Sequence, residues 1–556
     1  MKVVELHNPK TLCIRFDFSY DMVNKVKTLA GHRWWPNGKY WTASNIDINK
    51  QFLKDWGFTF DKMVEDHTKS VKALTVDEIE TTATLRPYQI EGINFFNQHN
   101  GSILLADEQG LGKTVQTVSY INSTQKFPCL IIVPASLKYN WAKEITKWTK
   151  DKNIYVCSGR EASTSSSKLR KYHWIICNYD ILTSQAKNSW FATFMDVAFR
   201  MMVLDESQNI KNDESKRTKS ILKLAQNIES RTCLSGTPIS NRPMEFFTTF
   251  KLVYPELFPN KYAFGRRYCG PKNNGYGTTY NGATNIDELN RILTGTFMLR
   301  RLKSDVLKDL PEKQKIVVPV LMDDEYQKEY CKAAVDFIRF LRDSGKDTRS
   351  AENAEAIVRL NGLRKLAMQG KLNSCIEWIE EFLESGKKLV VFAWHKEAVD
   401  ALMDKFGKIA VKIDGSVSAN MRQEAVDAFQ NNENIKLFVG NIKAAGTGIT
   451  LTAASDTCTI ELSWSPSDLA QAEDRVHRIG QKNAVSNYYL LADGTIDDDM
   501  MTLIDEKKKI IDMVMDGKET EDESLFNKLM NKYRNESELI ENHYLNFNSN
   551  NSEEDF

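Results

Sequence analysis

The chain has 556 residues, of which 42% are hydrophobic and 27% are charged, and its 74 basic residues balance its 74 acidic ones. This composition argues against a disordered chain, and the absence of a bilayer-length apolar run argues against a membrane-spanning one. The length predicts about three to four domains, each able to bury a core. The nine cysteines contain no Cys-x-x-Cys pair, so we expect reduced thiols in an intracellular protein, without zinc or disulfides.

Charge is distributed unevenly along the chain. Residues 516–556 carry eleven acidic and four basic residues, a net charge of −7, which leaves +7 on residues 1–515. Between 261 and 315, eleven basic residues stand against five acidic ones, with aromatic residues interleaved. This mixture suits a phosphate backbone, although a solvated basic face explains the charge equally well.

Residues 1–65 predict a small α+β domain. Alternating apolar residues between 12 and 18 predict a half-buried strand, and a helical stretch follows that Gly31 ends. The Asn-Gly pair within 33–41 is the strongest short signal for a hairpin. A second helix near 46–56 would complete the order β-α-β-β-α.

A linker is predicted at 66–80, and residues 81–255 then predict an α/β lobe. Its strands are short, unbroken apolar runs, as in a parallel sheet that is covered on both faces. We predict them at 102–106, 129–133, 174–178, 201–204 and 232–235.

Residues 376–510 predict a second α/β lobe, with strands at 388–393, 409–413, 435–439, 458–462 and 486–491. Between the lobes, residues 256–375 predict a helical, basic insertion. Residues 511–556 are acidic and rich in asparagine, which predicts one helix followed by a frayed tail.

An octapeptide at 107–114, DEQGLGKT, directly follows an apolar run. A strand that ends in a glycine-rich turn and reopens as a helix aims several backbone N–H groups at one point, where polyphosphate fits. Gly110 and Gly112 allow close approach of the backbone, Lys113 supplies charge, and the Thr114 hydroxyl can bind Mg²⁺. The first residue is not the glycine of the general P-loop pattern, so a simple glycine turn remains the alternative.

Two acidic residues, Asp205 and Glu206, follow the predicted strand at 201–204. The carboxyl ends of parallel strands carry ligand-binding residues. Asp205 would hold Mg²⁺, and Glu206 would orient or deprotonate the attacking water. Two such acids alone are more often a solvated turn, and it is the octapeptide upstream in the same lobe that favours catalysis.

Phosphoryl transfer also requires cations for the charge that develops on the γ-phosphate. Arg475 and Arg478 are three residues apart and would share one helix face. We predict Arg478 as the arginine finger, with Arg475 beside it. A surface helix with two salt-bridged arginines is the alternative.

Together, seven segments between 85 and 500 resemble, in order, the motifs of the Swi/Snf-type ATPases of helicase superfamily 2. They are LRPYQ at 85–89, DEQGLGKT at 107–114, DESQNIKN at 205–212, LSGTPISN at 234–241, FMLRRLKSDVLKDLP at 297–311, AAGTGITLTAA at 444–454 and QAEDRVHRIGQ at 471–481. The resemblance implies an α/β fold with two RecA-like parallel-sheet lobes and ATP-driven translocation on double-stranded DNA. It also implies that hydrolysis depends on closure of the lobes, with ATP and Mg²⁺ as cofactors.

The roles of individual residues follow from the same resemblance. Nucleotide binding falls to Arg86, Gln89, Asp107, Glu108, Gln109, Gly110, Leu111, Gly112, Lys113 and Thr114, with Gln89 reading adenine. Catalysis falls to Lys113, Asp205, Glu206, Arg475 and Arg478, and the metal to Thr114 and Asp205. Coupling falls to Gln208, Ser235, Gly236, Thr237, Gly446 and Gln481. The family usually has histidine where this chain has Gln208, which can donate and accept hydrogen bonds but carries no charge.

The N-terminal domain, through Trp34, Trp35, Lys39, Tyr40 and Trp41, is similar to the HARP domain of annealing helicases. The compact length of the chain suggests a phage or bacterial version of that branch. The likeness suggests DNA contacts by Arg33, Trp34, Trp35, Lys39 and Trp41, since aromatic and basic residues stack on bases and bind phosphates. A plain aromatic core is an equally good explanation of these tryptophans.

The favoured task is therefore the remodelling or annealing of DNA forks and bubbles in replication or repair. A remodeller of protein–DNA complexes with the same motor and a DNA-binding scaffold with a weakened ATPase are the alternatives. We expect double-stranded or forked DNA as partner, with single-stranded DNA-binding or replication proteins as further candidates, and a monomeric motor. Its place would be the cytoplasm of a bacterium or a phage-infected cell, or the nucleus in a eukaryote.

Overall fold

The computed structural model describes residues 2–8, 11–29, 31–61, 64, 72–159, 162, 164–236, 243–258, 260–273, 278–280, 282–307, 309–343, 350–445, 448–515 and 525–550. The chain divides into two compact units. The first is built mainly from residues 1–308, and the second from 309–510 and the C-terminal helices. No helix in the described residues is long and apolar enough to cross a membrane.

The N-terminal domain is a five-stranded sheet in the order β3-β4-β2-β1-β5. Its strands are Lys2–Asn8 (β1), Thr11–Phe16 (β2), Arg33–Trp35 (β3), Tyr40–Ser44 (β4) and Thr59–Phe60 (β5). Its helices are Tyr20–Val26 (α1) and Asp47–Asp55 (α2). One sheet face packs Val4, Leu12 and Ile14 into an apolar core.

The structure corrects two details of this domain. The sequence analysis missed β1 and β5, because β1 has only one fully buried residue and β5 is two residues long. The strand predicted to reach residue 18 ends at Phe16, because the Ser19 hydroxyl accepts a hydrogen bond from the Met22 N–H and begins α1. Phe18 is 76% exposed. The predicted hairpin is confirmed, with Trp34 opposite Trp41.

The first lobe contains a parallel sheet whose seven strands lie in the order β14-β6-β11-β10-β7-β9-β8. Six strands precede residue 240: Leu104–Leu105 (β6), Cys129–Val133 (β7), Ile154–Val156 (β8), Trp174–Asn178 (β9), Met201–Leu204 (β10) and Ser230–Leu234 (β11). A separate antiparallel pair joins Lys272–Asn273 (β12) to Thr278–Thr279 (β13). Met298–Leu299 (β14) completes the sheet beside β6.

Ten helices of the first unit follow the N-terminal domain in the described residues. Seven belong to the lobe proper: Pro87–Gln98 (α3), Lys113–Thr124 (α4), Lys138–Trp148 (α5), Ser166–Leu169 (α6), Trp190–Met195 (α7), Lys216–Ala225 (α8) and Phe247–Val253 (α9). Three follow it: Lys261–Tyr268 (α10), Ile286–Thr294 (α11) and Lys303–Val306 (α12). Short 3₁₀ turns lie at Val76–Glu78, Ala135–Leu137, Tyr179–Thr183, Ser207–Ile210 and Pro243–Phe246.

The second lobe contains a parallel sheet whose six strands lie in the order β15-β20-β19-β16-β18-β17. They are Lys313–Val320 (β15), Leu389–Ala393 (β16), Ala410–Ile413 (β17), Leu437–Asn441 (β18), Asp456–Thr459 (β19) and Val485–Ala492 (β20). The helices are Asp324–Asp343 (α13), Ser350–Glu384 (α14), Lys396–Phe406 (α15), Ala419–Asn431 (α16), Ile442–Ala445 (α17), Pro466–Glu473 (α18), Ile496–Met515 (α19), Leu525–Asn535 (α20) and Ser537–Asn550 (α21).

The predicted fold class, two parallel-sheet lobes with a small N-terminal α+β domain, is confirmed. The prediction of a helical insertion at 256–375 is wrong in three places, because β12 pairs with β13, β14 pairs with the first sheet and β15 pairs with the second. β14 is too short to show a period, and β15 exposes Lys315, Val317 and Pro319 while it half-buries Ile316 and Val318, so it lacks the unbroken buried apolar run of the other strands. The C-terminal prediction also needs correction. Two helices, α20 and α21, lie where we expected a frayed tail, and they bury Leu529, Met530, Tyr533 and Tyr544.

Candidate functional site

The octapeptide forms a turn between β6 and α4, and two of its glycines adopt left-handed backbone. Gly110 has φ of 89° and Gly112 has φ of 79°, a region that other residues adopt at a cost. A Cβ on Gly112 would lie 2.5 Å from Nε2 of Gln89. Both glycines therefore permit the bend, and Gly112 also permits the close packing of Gln89 against the turn. A tight glycine turn before a helix is the backbone that a phosphate cradle requires.

Lys113 and Thr114 begin α4, where the first backbone N–H groups of the helix are available for an anion. The Lys113 ammonium donates to the carbonyl of Asp107 at 2.7 Å and to that of Glu108 at 3.4 Å. The ammonium therefore lies over the loop, and its contact with the outer phosphates stays a prediction.

Gln89 packs behind the loop. The residue is 5% exposed. Its side-chain amide donates to the carbonyl of Leu111 at 3.3 Å and accepts from the N–H of Arg86 at 2.9 Å. These bonds tie the start of α3 to the turn. Adenine recognition by Gln89 and nucleotide binding by Arg86 stay predictions, and the geometry shows that Gln89 braces the loop.

Arg301, to which the sequence analysis gave no role, joins three parts of the site. Its guanidinium forms a two-pronged ion pair with the fully buried Asp107, with Nε 3.0 Å from Oδ1 and Nη2 2.5 Å from Oδ2. It also donates to Oε1 of Gln116 on α4 at 2.8 Å and to the carbonyl of Tyr88 on α3. This ion pair holds the carboxylate of Asp107 and fixes the loop, and nucleotide binding by Asp107 stays a prediction.

Glu108 and Gln109 of the octapeptide also face protein. The N–H of Lys303 donates to Oε2 of Glu108 at 2.7 Å. A Cβ on Gly236 would lie 2.3 Å from Cγ of Gln109, so the segment after β11 packs directly on the loop. Only a residue without a side chain permits this approach. Leu111 is fully buried and anchors the turn in the lobe.

Asp205 and Glu206 follow β10, as predicted, and Glu206 has a left-handed backbone with φ of 50°. Such a conformation is costly for a residue with a side chain and tends to occur at functional sites. Burial raises the pKa of Asp205 above its usual range, the charge of Glu206 raises it further, and Lys113 opposes both effects. Two crowded carboxylates close to the lysine of the cradle fit a bound divalent cation, which would relieve their repulsion.

Gln208 connects Glu206 to the segment after β11. Its Nε2 donates to Oε2 of Glu206 at 2.8 Å, and its Oε1 accepts from the hydroxyl of Ser235 at 3.1 Å. Gln208 and Ser235, both predicted to couple, are therefore in direct contact, and the other end of the Gln208 amide holds Glu206. A glutamine can make both bonds without charge, because its amide donates and accepts. Coupling by Gly236, which packs on Gln109, stays a prediction, and Thr237 lies outside the described residues.

Replacing Gln208 by leucine should remove the link between Glu206 and Ser235 at nearly constant volume. We expect the stimulation of ATPase activity by duplex DNA to fall by about 5- to 150-fold, the usual range of coupling energies, with ADP affinity unchanged. Rates with and without duplex, together with calorimetry of ADP binding, measure both quantities.

Asn209→Leu is the matched control for this variant, because Asn209 Nδ2 donates to the backbone carbonyl of Glu206 at 2.9 Å and not to its carboxylate. Equal losses in the two variants would mean that only the local turn matters.

In the second unit, Arg475 and Arg478 do not share a helix face, so that part of the prediction was wrong. α18 ends at Glu473, and both arginines lie in the turns that follow. Arg475 is 2% exposed and donates to the carbonyls of Gln471 at 2.8 Å and Ile449 at 3.3 Å. Arg478 is half-buried, which leaves it the better candidate for a finger.

Two predicted coupling residues of the second unit have different outcomes. Gln481 is buried, donates to the carbonyl of Ala454 at 2.7 Å, and accepts from the N–H groups of Lys482 and Asn483. It therefore braces the loop after α18, and coupling by it stays a prediction. Gly446 lies outside the described residues. Glu461 in the same unit accepts from the N–H groups of Trp394 and His395, both at 2.8 Å.

The N-terminal hairpin places its predicted DNA-binding residues on two faces. Trp34 and Trp41 pair across the strands at 5.3 Å between ring centroids, and Trp41 packs on the apolar core. Arg33 and Trp35 lie on the opposite face, with the guanidinium 4.4 Å from the ring. Lys39 is exposed at the turn between the strands.

The face of Arg33 and Trp35 also carries residues that the sequence analysis did not select. Arg15 lies 4.8 Å from the ring of Tyr40, and His7 lies 6.0 Å from that of Trp35. We call this set, His7, Arg15, Arg33, Trp35 and Tyr40, the outer sheet face. Knowledge of β1 and its register with β2 would have found it, because period-two alternation then places these residues together.

Models of two protein families match the chain. The SNF2-related domain matches residues 88–372, and the helicase conserved C-terminal domain matches residues 370–480. Both matches lie within the two lobes.

Named relatives extend this result. The chain is 35% identical over 439 residues to the Xenopus tropicalis SWI/SNF-related matrix-associated actin-dependent regulator of chromatin subfamily A-like protein 1, covering 77% of this chain and 45% of that protein. It is 31% identical over 452 residues to the human DNA annealing helicase and endonuclease ZRANB3, covering 78% of this chain and 41% of that protein. The chain therefore spans less than half the length of either relative.

A solved structure, the Sulfolobus solfataricus SWI2/SNF2 ATPase core in complex with dsDNA, aligns at 27% sequence identity with a TM-score of 0.39. The alignment covers 80% of this chain and 96% of that one.

Proposed function

The chain belongs to the SNF2-related family of ATPases, and on that premise we propose that it is an ATP-driven translocase of double-stranded DNA. Its proposed task is to remodel or anneal forks and bubbles during replication or repair. The named relatives include an annealing helicase, and the small N-terminal domain carries an aromatic and basic face.

One observation carries the motor proposal: the acid pair after β10 is hydrogen-bonded to the segment after β11. Asp205 adjoins Glu206, and Gln208 joins Glu206 to Ser235. The charge of Lys113 in the cradle opposes the rise in the pKa of Asp205. A shift of the Glu206 carboxylate on ATP hydrolysis can therefore move Ser235, because two hydrogen bonds through Gln208 connect the two residues.

ATP and Mg²⁺ are the proposed cofactors. Thr114 and Asp205 would hold the metal, and Lys113 with the N–H groups at the start of α4 would hold the phosphates. Mg²⁺, when bound, would neutralise negative charge on the phosphate oxygens. Glu206 would orient the attacking water and accept its proton, while Gln208 restrains the Glu206 carboxylate.

Double-stranded or forked DNA is the proposed partner, bound mainly through phosphates and hence without sequence preference. The test is ATPase activity at fixed salt with duplex, single-stranded and forked DNA. We expect stimulation by the duplex or forked substrates. A measurable ATPase rate with no stimulation by any DNA would contradict the motor proposal.

Annealing is separated from the remodelling of protein–DNA complexes by a second assay. The protein should rewind a bubble or fork coated with a single-stranded DNA-binding protein, in an ATP-dependent reaction. Displacement of a bound protein from duplex DNA without any rewinding would favour the alternative remodeller.

The outer sheet face is the part of the N-terminal domain that we propose contacts DNA. The double variant Arg33→Ala/Trp35→Ala should weaken binding to single-stranded DNA by about 5- to 150-fold, since a stacked aromatic ring contributes about 1 to 3 kcal/mol per base. DNA-stimulated hydrolysis should persist, as it should when residues 1–65 are deleted, while annealing falls. Fluorescence anisotropy and rewinding assays measure the two effects.

Phe18→Ala is the control for the outer sheet face, because Phe18 is an exposed aromatic residue of the same domain that lies outside it. If the double variant binds and anneals as the wild type does, the outer sheet face has no role with DNA, and if the deletion also anneals normally, the whole domain is structural.

A further inference from the structure

Trp141 is a buried tryptophan whose indole N–H contacts the proposed active site. It lies on α5, is 1% exposed, and packs in the apolar core of the first lobe. Its Nε1 donates to Oδ2 of Asp205 at 2.8 Å. The residue therefore joins the core of the lobe to the carboxylate that follows β10.

The rest of Asp205 is held as closely. Its N–H donates to the carbonyl of Ile132 at 2.9 Å, and its own carbonyl accepts from the hydroxyl of Tyr179 at 2.7 Å. Oδ1 accepts from the N–H of Glu206 at 2.9 Å. Each carboxylate oxygen thus has one protein donor and retains a second lone pair, so the orientation of the carboxylate is set before any ligand arrives.

We propose that Trp141 is a positioning residue for metal-dependent nucleotide binding, which it serves by holding the Asp205 carboxylate in the orientation that receives the cation. The inference rests on the proposed function, because it requires Asp205 to serve a metal. Residues that hydrogen-bond a metal-binding carboxylate change metal affinity by about 10- to 100-fold when they are replaced. Trp141 lies on α5, whereas the octapeptide leads into α4, so Trp141 itself is not part of the cradle.

The rival explanation is that the bond only satisfies a buried indole N–H. The chain contains a second pair that represents this case. Trp174, in the same core, donates from Nε1 to Oδ2 of Asp151 at 3.0 Å, and Asp151 also contacts His173. Asp151 lies in the loop between α5 and β8, near the residue at which β8 begins, and its Oδ1 accepts from the N–H of Asn153. It is therefore at the opposite end of the strands from Asp205, which follows the last residue of β10. Trp174→Phe is therefore a matched control for Trp141→Phe.

The experiment measures ADP affinity by calorimetry over a series of Mg²⁺ concentrations, including none with a chelator present. In the wild type, Mg²⁺ should tighten ADP binding. In Trp141→Phe, the apparent Mg²⁺ affinity of the ADP complex should fall by about 10- to 100-fold while metal-free ADP binding is retained. Trp174→Phe should match the wild type in both quantities.

A second variant removes the N–H alone. Benzothienylalanine at position 141 keeps the size and shape of the indole ring and replaces its N–H by sulfur, so the core stays packed. We expect the same loss of Mg²⁺ affinity as in Trp141→Phe. An unchanged Mg²⁺ affinity in this variant would overturn the inference, as would an equal loss in Trp174→Phe. If the wild type binds ADP without any dependence on Mg²⁺, both the inference and the proposed metal site are wrong. If the wild type depends on Mg²⁺ and the benzothienylalanine variant matches it, only the inference is wrong.

Discussion

Arg478→Ala should lower the DNA-stimulated kcat for ATP hydrolysis by about 10³- to 10⁵-fold and leave ATP affinity nearly unchanged. The reason is that an arginine finger acts on charge that develops only as the phosphate is transferred. Arg478 is the better of the two candidates, because its side chain is half-buried and one of its N–H groups reaches the Thr450 hydroxyl at 3.2 Å. Single-turnover hydrolysis and equilibrium ATP binding measure the two quantities separately.

Arg359→Ala is the control for this prediction. Arg359 belongs to the same unit and pairs with Glu355 one helical turn away, an arrangement that contributes little to stability or activity when exposed. A loss of ATP affinity as large as the loss of turnover in Arg478→Ala would show that the finger has been assigned to the wrong residue.

Lys113→Ala should reduce kcat by at least about 10²- to 10³-fold, the usual loss when one preorganised donor to the developing charge is removed. Unlike Arg478→Ala, it should also weaken binding of ATP and ADP, because the ammonium lies over the cradle and would pair with phosphate oxygens in the ground state as well. Steady-state kinetics and calorimetry with both nucleotides measure these effects.

Lys138→Ala provides the comparison, because the Lys138 ammonium also donates to a backbone carbonyl, that of Cys157, at 2.8 Å in the same lobe. We expect normal nucleotide affinity and turnover in this variant. Normal ATP hydrolysis by Lys113→Ala would show that the octapeptide is not part of the active site.

The strands of the large sheets were the most predictable part of the fold. The bounds of β7, β9 and β10 agree with the predicted strands because fully buried parallel strands appear in a sequence as unbroken apolar runs. β14 and β1 were missed for the opposite reason. Each owes its conformation to a pairing partner, β6 or β2, which no local pattern reveals.

The candidate site divides in the same way. The order of the octapeptide residues and the acids after β10 could be predicted, since a phosphate cradle and a carboxylate pair have local sequence signatures. The ion pair of Asp107 with Arg301 could not, because the two residues are 194 positions apart. The arginines after α18 show the limit of periodicity, since spacing alone placed them on a helix that ends before them.

The sequence by itself determined the type of protein: two α/β lobes, a nucleotide cradle at 107–114, acids at 205 and 206, and membership in a family with ordered motifs. These features are local, because each depends on neighbouring residues along the chain. Only the tertiary structure decided which side chains hold those residues in place, namely Arg301 on Asp107, Gln208 between Glu206 and Ser235, and Trp141 on Asp205. The physical reason is that hydrogen bonds and ion pairs act over about 3 Å in space, whereas most of these partners are far apart in the chain.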